Sequence, residues 1–154
     1  MRYKMIYILF LIFLLITIPY VITVFLSQQD KNIQFENYDS GYQVISGNDK
    51  DDLETYLLKI LPGQISMDQE NEAVKAQAVI LRTDIIRRME NKKQIARQKL
   101  PYTTYENSEY RKKLGNRSYQ SMDQKRKKSV SETRGKVITY KNKLIEPYFH
   151  ALSV

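Results

Sequence analysis

The chain of 154 residues contains no cysteine and a single histidine, His150. Without cysteine there is no disulfide framework and no thiolate chemistry. This fits a cell surface without requiring one. Glycine is sparse, at five residues, and no glycine-rich phosphate loop occurs. There is also no metal-spaced histidine pair and no Ser/His/Asp arrangement. A lone histidine at the end of a strand reads as a partly buried side chain. No metal and no cofactor are therefore expected. Internal repeats and low-complexity segments are absent, and the length allows about one domain.

What the chain does have is charge of one sign and one long apolar run. The net charge is +8. Residues 5–26 are 22 residues without a charge, enough to cross about 30 Å of hydrocarbon as a helix. Arg2 and Lys4 precede the run, which keeps the N-terminus in the cytoplasm. Pro19 is tolerable inside a membrane helix. The exit Val24-Phe25-Leu26-Ser27 is a poor cleavage site, so an uncleaved anchor is expected rather than a signal peptide. Residues 27–154 keep 25 − 2 = 23 Lys and Arg against 17 Asp and Glu, a net +6. Such a domain outside the membrane would meet anionic wall polymers and lipid headgroups. Nucleic acid is the generic partner of such charge, but this anchor orientation argues against it.

Residues 27–40 are polar, lack periodicity and read as a linker. Residues 41–46 suggest a short strand through Tyr42, Val44 and Ile45. Gly47-Asn48-Asp49 is a turn, and Asn48 or Asp49 can cap the next helix. That helix is expected over 51–61, with Leu53, Tyr56, Leu57 and Ile60 on one face. Asp51, Asp52 and Glu54 lie in its first turn, and Pro62-Gly63 ends it. Ser66 or Asp68 caps a second helix. Val74, Ala78, Leu81, Ile85 and Met89 form its main stripe, with Ala76, Val79, Thr83 and Ile86 beside it. So many alanines suit close neighbours on two sides. The helix turns basic from 87 to 99 and closes at Pro101. Tyr102, Tyr105, Tyr110 and Tyr119 follow in a polar region. They either stack on sugar rings or cover the core from irregular loops. Residues 123–133 read as a further helix whose Lys125 to Lys128 block is a solvated face. Gly135 is placed for a left-handed cap. Residues 136–140 alternate as a strand, Lys141-Asn142-Lys143 turns, and residues 144–150 return.

The stretch 53–83 carries a resemblance. Gly63, Gln64 and Ile65 are followed by Glu72-Ala73-Val74-Lys75-Ala76-Gln77-Ala78-Val79 and then by Arg82-Thr83. This resembles the stage II sporulation protein D / LytB (amidase enhancer) family, in which an apolar helix, Gly-Glu-Met-Pro and Glu-Ala-Leu-Lys-Ala-Gln-Ala-Val-x-x-Arg-Thr stand here. Thr133, Gly135, Val137 and Tyr140 match the family's later Thr-x-Gly-x-Val-x-x-Tyr strand. Relatives continue with a small-residue loop where Val154 stands. The resemblance thus implies a domain incomplete at its C-terminal end, whether truncated gene, fragment or naturally short protein. Some relatives hold zinc with a His and Cys cluster near that loop; with no cysteine, no metal site is implied here.

The resemblance implies a role in peptidoglycan remodelling, linked to sporulation. Family members that act on the wall resemble lytic transglycosylases, whose glutamate at the Gly-Glu corner protonates the glycosidic oxygen. Gln64 stands there with the same shape and no transferable proton. No catalytic residue is therefore assigned. Gln64, Lys75, Gln77, Arg82 and Tyr140 are candidate ligand-binding residues; Gln64 could equally tie the Pro62-Gly63 corner to the second helix, and Lys75, Gln77 and Arg82 read more readily as residues that cap or brace the corner. The expected partners are peptidoglycan glycan strands or a wall-remodelling protein, with the membrane engaged through residues 5–26 and no nucleic acid. Two alternatives stand beside this reading: an active transglycosylase using another acid, and a truncated product without function. Glu70 and Glu72 sit at a helix N-terminus that favours the ionised form. Asp68 suits a cap, and Glu146 on the returning strand stays open. The expected fold is mixed α+β. A transmembrane helix within residues 1–26 and a linker over 27–40 precede a small helix-plus-antiparallel-hairpin domain over 41–154, placed outside the cytoplasm on a single-pass anchor.

Overall fold

The described residues of the computed structural model are 2–29 and 38–148. His150, Val154 and most of the expected linker fall outside them. The chain divides into two units, residues 1–34 and 35–154.

The first unit is helix α1, Arg2–Gln29, with Pro19 inside it. Its stretch Tyr3–Thr23, 21 residues, is long and apolar enough to cross a membrane.

The second unit is mixed α+β. Strand β1, Gln43–Ser46, is central in a three-stranded sheet. It pairs antiparallel with β2, Asp49–Asp52, and parallel with β3, Gln94–Ala96. Gly47, at φ +61°, opens the two-residue turn that folds β2 back on β1. The sheet is thus mixed, where a purely antiparallel one was expected. Residues 49–52 (Asp-Lys-Asp-Asp) are a strand and not the turn and first helical residues. The cap moves accordingly. Asp52, and not Asn48 or Asp49, accepts Glu54 N–H at 2.9 Å. Its other oxygen accepts the Ser40 N–H and hydroxyl, each at 2.7 Å.

Helix α2, Leu53–Ile60, buries Leu53, Tyr56, Leu57 and Ile60, the expected face. It runs into a 3₁₀ turn, Leu61–Gly63, which holds Pro62. Helix ends leave carbonyls without intrahelical donors. Here the Arg126 guanidinium donates to Leu58 O at 3.0 Å, and Tyr105 N–H to Lys59 O at 2.8 Å.

Helix α3, Asn71–Arg88, buries Val74, Ala78, Leu81 and Ile85, with Met89 just beyond. It packs against α2 on one side and α5, Asn116–Glu132, on the other. Ala76, expected in a second stripe, is exposed. Neither Ser66 nor Asp68 caps α3. They bond each other, and Glu70 occupies the cap position without a side-chain hydrogen bond. Nor does the helix continue to Lys99. Glu90 and Asn91 turn left-handed, at φ +48° and +67°, and the chain returns to add β3. Ile95 is buried in the core cluster, which rewards that pairing.

Helix α4, Asn107–Leu114, precedes α5, with Gly115 at φ +75° between them. α5 therefore starts well before residue 123. Tyr110 and Tyr119 cover the core from these two helices, not from irregular loops. The Lys125 to Lys128 block is also not uniformly solvated, because Arg126 is 1% exposed. Its guanidinium reaches Asn107 Oδ1 at 2.9 Å, pairs with Asp123 and lies over the Tyr110 ring. Gly135 adopts the expected left-handed conformation, φ +67°. The hairpin is present but short: β4, Thr139–Tyr140, and β5, Lys143–Leu144, joined by Lys141-Asn142.

Candidate functional site

The apolar face of α2 is flanked by Glu54 and that of α3 by Arg82. Packing the two helices brings the pair together. Arg82 Nε donates to Glu54 Oε1 at 2.8 Å and Nη2 to Oε2 at 2.7 Å. Both side chains are 1% exposed. A buried pair of this kind persists only when its remaining donors are satisfied. Arg82 Nη1 donates to Lys136 O at 3.1 Å. The next residue reaches the same segment: Thr83 Oγ1 accepts Ile138 N–H at 3.0 Å and donates to Val79 O at 2.7 Å. Thr133 Oγ1 lies 3.5 Å from Arg82 Nη2. The Arg-Thr and Thr-x-Gly-x-Val stretches, far apart in the chain, thus form one clamp. It fixes the approach to the β4–β5 hairpin.

Lys75 is also occupied. Its ammonium meets Glu132 at 2.6 Å and Glu72 at 2.7 Å, joining α3 to α5. These hydrogen bonds, Glu132's first, push its pKa up to about 12. Gln77 is 2% exposed and its Oε1 has no hydrogen-bond partner among the described residues. Tyr140 is 67% exposed on the hairpin, with Lys141 Nζ 5.3 Å from its ring centroid.

Gln64 differs from all of these. It closes the 3₁₀ turn, its N–H donating to Leu61 O at 3.0 Å. Its side chain is half-buried and makes no hydrogen bond among the described residues. The preceding Gly63 lies under Tyr105. A Cβ there would stand 2.7 Å from Tyr105 Cε2, so any other residue would have to push the ring aside. Tyr105 is itself held by its N–H to Lys59 O. The corner therefore places a half-buried amide next in sequence to the glycine that lies under the Tyr105 ring. An amide there can donate and accept hydrogen bonds but cannot deliver a proton to a leaving group.

The other acids considered are committed or exposed. Glu72 pairs with Lys75, Glu146 with Arg87 at 3.0 Å, and Asp68 with Ser66. Glu70 is exposed. A depression of about 510 Å³ near the corner loop is lined by Met67, Asp68, Ser118, Ser121, Met122 and Lys125. Gln64 is not among its lining residues.

Two groupings escape a reading of the sequence. Glu54 reads there only as an acid in a first helical turn; the one signal for its role is an acid beside one apolar stripe and an arginine beside the next. Asp84 is buried and accepts Arg88 Nε at 2.6 Å and Tyr102 Oη at 2.6 Å. Burial alone would raise its pKa. The hydrogen bonds from Arg88 and Tyr102, with the Arg88 charge, outweigh burial and hold it below the usual carboxylate range. Burial first, and the bond to Asp84 next, push the Tyr102 phenol well up.

Fold and site define a small α+β domain organised around a helix–corner–helix unit, preceded in the chain by an apolar helix. The family model described as "Stage II sporulation protein" matches residues 39–140, about two thirds of the chain. The chain belongs to that family. Two curated proteins called "Stage II sporulation protein D", from Bacillus subtilis (strain 168) and Bacillus amyloliquefaciens, are each 30% identical to it over 108 residues. The matched part is 66% of this chain and 32% and 31% of theirs, so the chain spans about a third of the length of these relatives. No solved structure matches.

Proposed function

We propose that this chain is a membrane-anchored, extracytoplasmic member of the family that acts in peptidoglycan remodelling during sporulation, and that it binds a glycan strand or a wall-remodelling partner rather than cutting the glycan. The observation that carries this reading is the Gln64 corner. Where the resemblance puts a proton-donating glutamate, the chain has an amide with no hydrogen-bond partner among the described residues, one residue after the glycine under Tyr105. Loss of a general acid typically slows such chemistry by about 10²–10⁴-fold. Binding needs no such proton. A half-buried amide and an aromatic ring at the same corner suit the hydroxyl groups and apolar face of a sugar. The apolar α1 behind Arg2 and Lys4 supports the anchor and its orientation.

The test incubates the full chain, held in a neutral detergent, with purified glycan strands, with and without peptide stems. The unmodified protein should retain strands on a pull-down and release no anhydro-sugar products. Gln64→Glu should gain measurable cleavage, since it restores the acid at nearly constant size. Robust cleavage by the unmodified chain that survives Gln64→Ala and is lost on Glu146→Gln or Glu72→Gln would overturn the reading.

A further inference from the structure

A second surface lies apart in sequence from the Gln64 corner. Two open depressions, about 600 and 510 Å³, share Arg87, Glu90 and Lys92 among their lining residues and so form one trough. Its bases are Arg87, Arg88, Lys92, Lys93, Lys99 and Lys143, and its only lining acid is Glu90. Arg87 and Arg88 are engaged with Asp84, and Arg87 also with Glu146. Lys92, Lys93, Lys99 and Lys143 have no ion-pair partner among the described residues. Lys59, Lys75 and Lys127 are paired with acids, whereas Lys50 and Lys112, exposed elsewhere, have no ion-pair partner among the described residues. What sets the trough apart is that four such lysines line it together around one lining acid, Glu90.

The backbone points to the same place. Four non-glycine residues are left-handed among those described: Glu90, Asn91, Lys141 and Asn142. They make the two turns that frame the second depression. A two-residue hairpin turn with both residues at positive φ is ordinarily Asn-Gly. Lys141-Asn142 keeps a lysine at the tip despite the steric cost. Backbone held in sparsely populated regions clusters at functional sites.

We infer that this trough binds a linear polyanion whose charges are phosphodiesters, of the polyol-phosphate kind. The lysines are point charges on flexible stems, suited to phosphate oxygens spaced along a chain. A bilayer surface is flat and would leave the floor of a concave trough unfilled. Single-stranded nucleic acid would want aromatic platforms for its bases. The lining offers only Tyr42, which is half-buried. The site does not involve Gln64, so it stands or falls separately from the corner.

The test uses the full chain in nanodiscs of zwitterionic lipid and a short synthetic glycerol-phosphate oligomer as probe. Three to four phosphate contacts predict affinity falling about 20- to 50-fold between 50 and 200 mM salt, if the oligomer behaves like a flexible single strand. Lys92→Glu with Lys93→Glu should abolish binding. Lys50→Glu with Lys112→Glu changes the net charge equally at exposed sites outside the trough and should leave most of it. Gln64→Ala should bind the oligomer unchanged. Helical circular dichroism of each variant verifies folding. Equal loss in both double variants would overturn the inference, since the binding would then follow net charge. So would tighter binding to a thymidine oligonucleotide. Loss of oligomer binding in nanodiscs containing phosphatidylglycerol would assign the trough to lipid and overturn it likewise.

Discussion

Arg82 and Gln64 are equally prominent in the stretch that carries the family resemblance, and the structure treats them oppositely. Arg82 is closed in: its guanidinium is shared among a carboxylate and backbone carbonyls, and Thr83 beside it holds Ile138. Gln64 is left open, its amide without a partner among the described residues. One residue is a fastening and the other a surface. A motif can thus mark a family through a residue that is closed into the fold. Here the Arg-Thr half defines where the hairpin segment is held, and the corner half leaves an amide without a hydrogen-bond partner among the described residues.

The contrast can be broken hardest at Arg82. Arg82→Ala leaves Glu54 buried and unpaired, which should destabilise the domain by about 3–5 kcal/mol. Set against a total of about 5–15 kcal/mol, that removes much of the folded population. Urea denaturation measures it, and Glu54→Leu added to Arg82→Met should recover most of the loss. A drop under about 1 kcal/mol for Arg82→Ala would mean the pair is no fastening.

A smaller effect is expected at Asp84, the buried acid of α3. Its folded pKa is depressed, so its contribution is full above the ordinary carboxylate value, near 4, and is lost as pH falls through the folded value. Asp84→Asn should cost about 2 kcal/mol at pH 7. The gap between variant and wild type should close as pH falls from about 5 toward 2. A gap independent of pH would show that the charge is not what matters.

The smallest effect should lie at the corner. Gln64→Ala should alter stability by no more than about 0.5 kcal/mol. Gly63→Ala, one residue away, forces the Tyr105 ring to move and should cost about 1–2 kcal/mol. Thermal melts of the two variants side by side sharpen the comparison. A Gln64 variant that melts lower than the Gly63 variant would make the amide a structural tie.

The sequence made α2 and the first part of α3 legible because their apolar residues recur at helical spacing and their partners are local. The Gly135 cap and the hairpin were legible from turn chemistry. β2 was not, since Asp49–Asp52 has no apolar alternation; it becomes a strand only because Gly47 turns it onto β1. β3 was hidden by the basic run after Arg88, since Ile95 is the one buried residue of the strand. Its strand character comes from a partner 51 residues earlier, Val44. At the site, residue types carried the corner. The Glu54–Arg82 pair and the Asp84–Tyr102 bond depend on distances no local pattern encodes.

The place of β1 in its sheet sets an order of assembly. One neighbour is a hairpin partner two turn residues away; the other lies beyond α2 and α3. The hairpin can close in about 1–10 μs on its own. The parallel pairing must wait until both helices have docked, because closing so long a loop gains nothing before then. β3 and the turn after α3 should therefore be among the last parts to lock and the first to open, and amide exchange at Ile95 should outpace that at Val44.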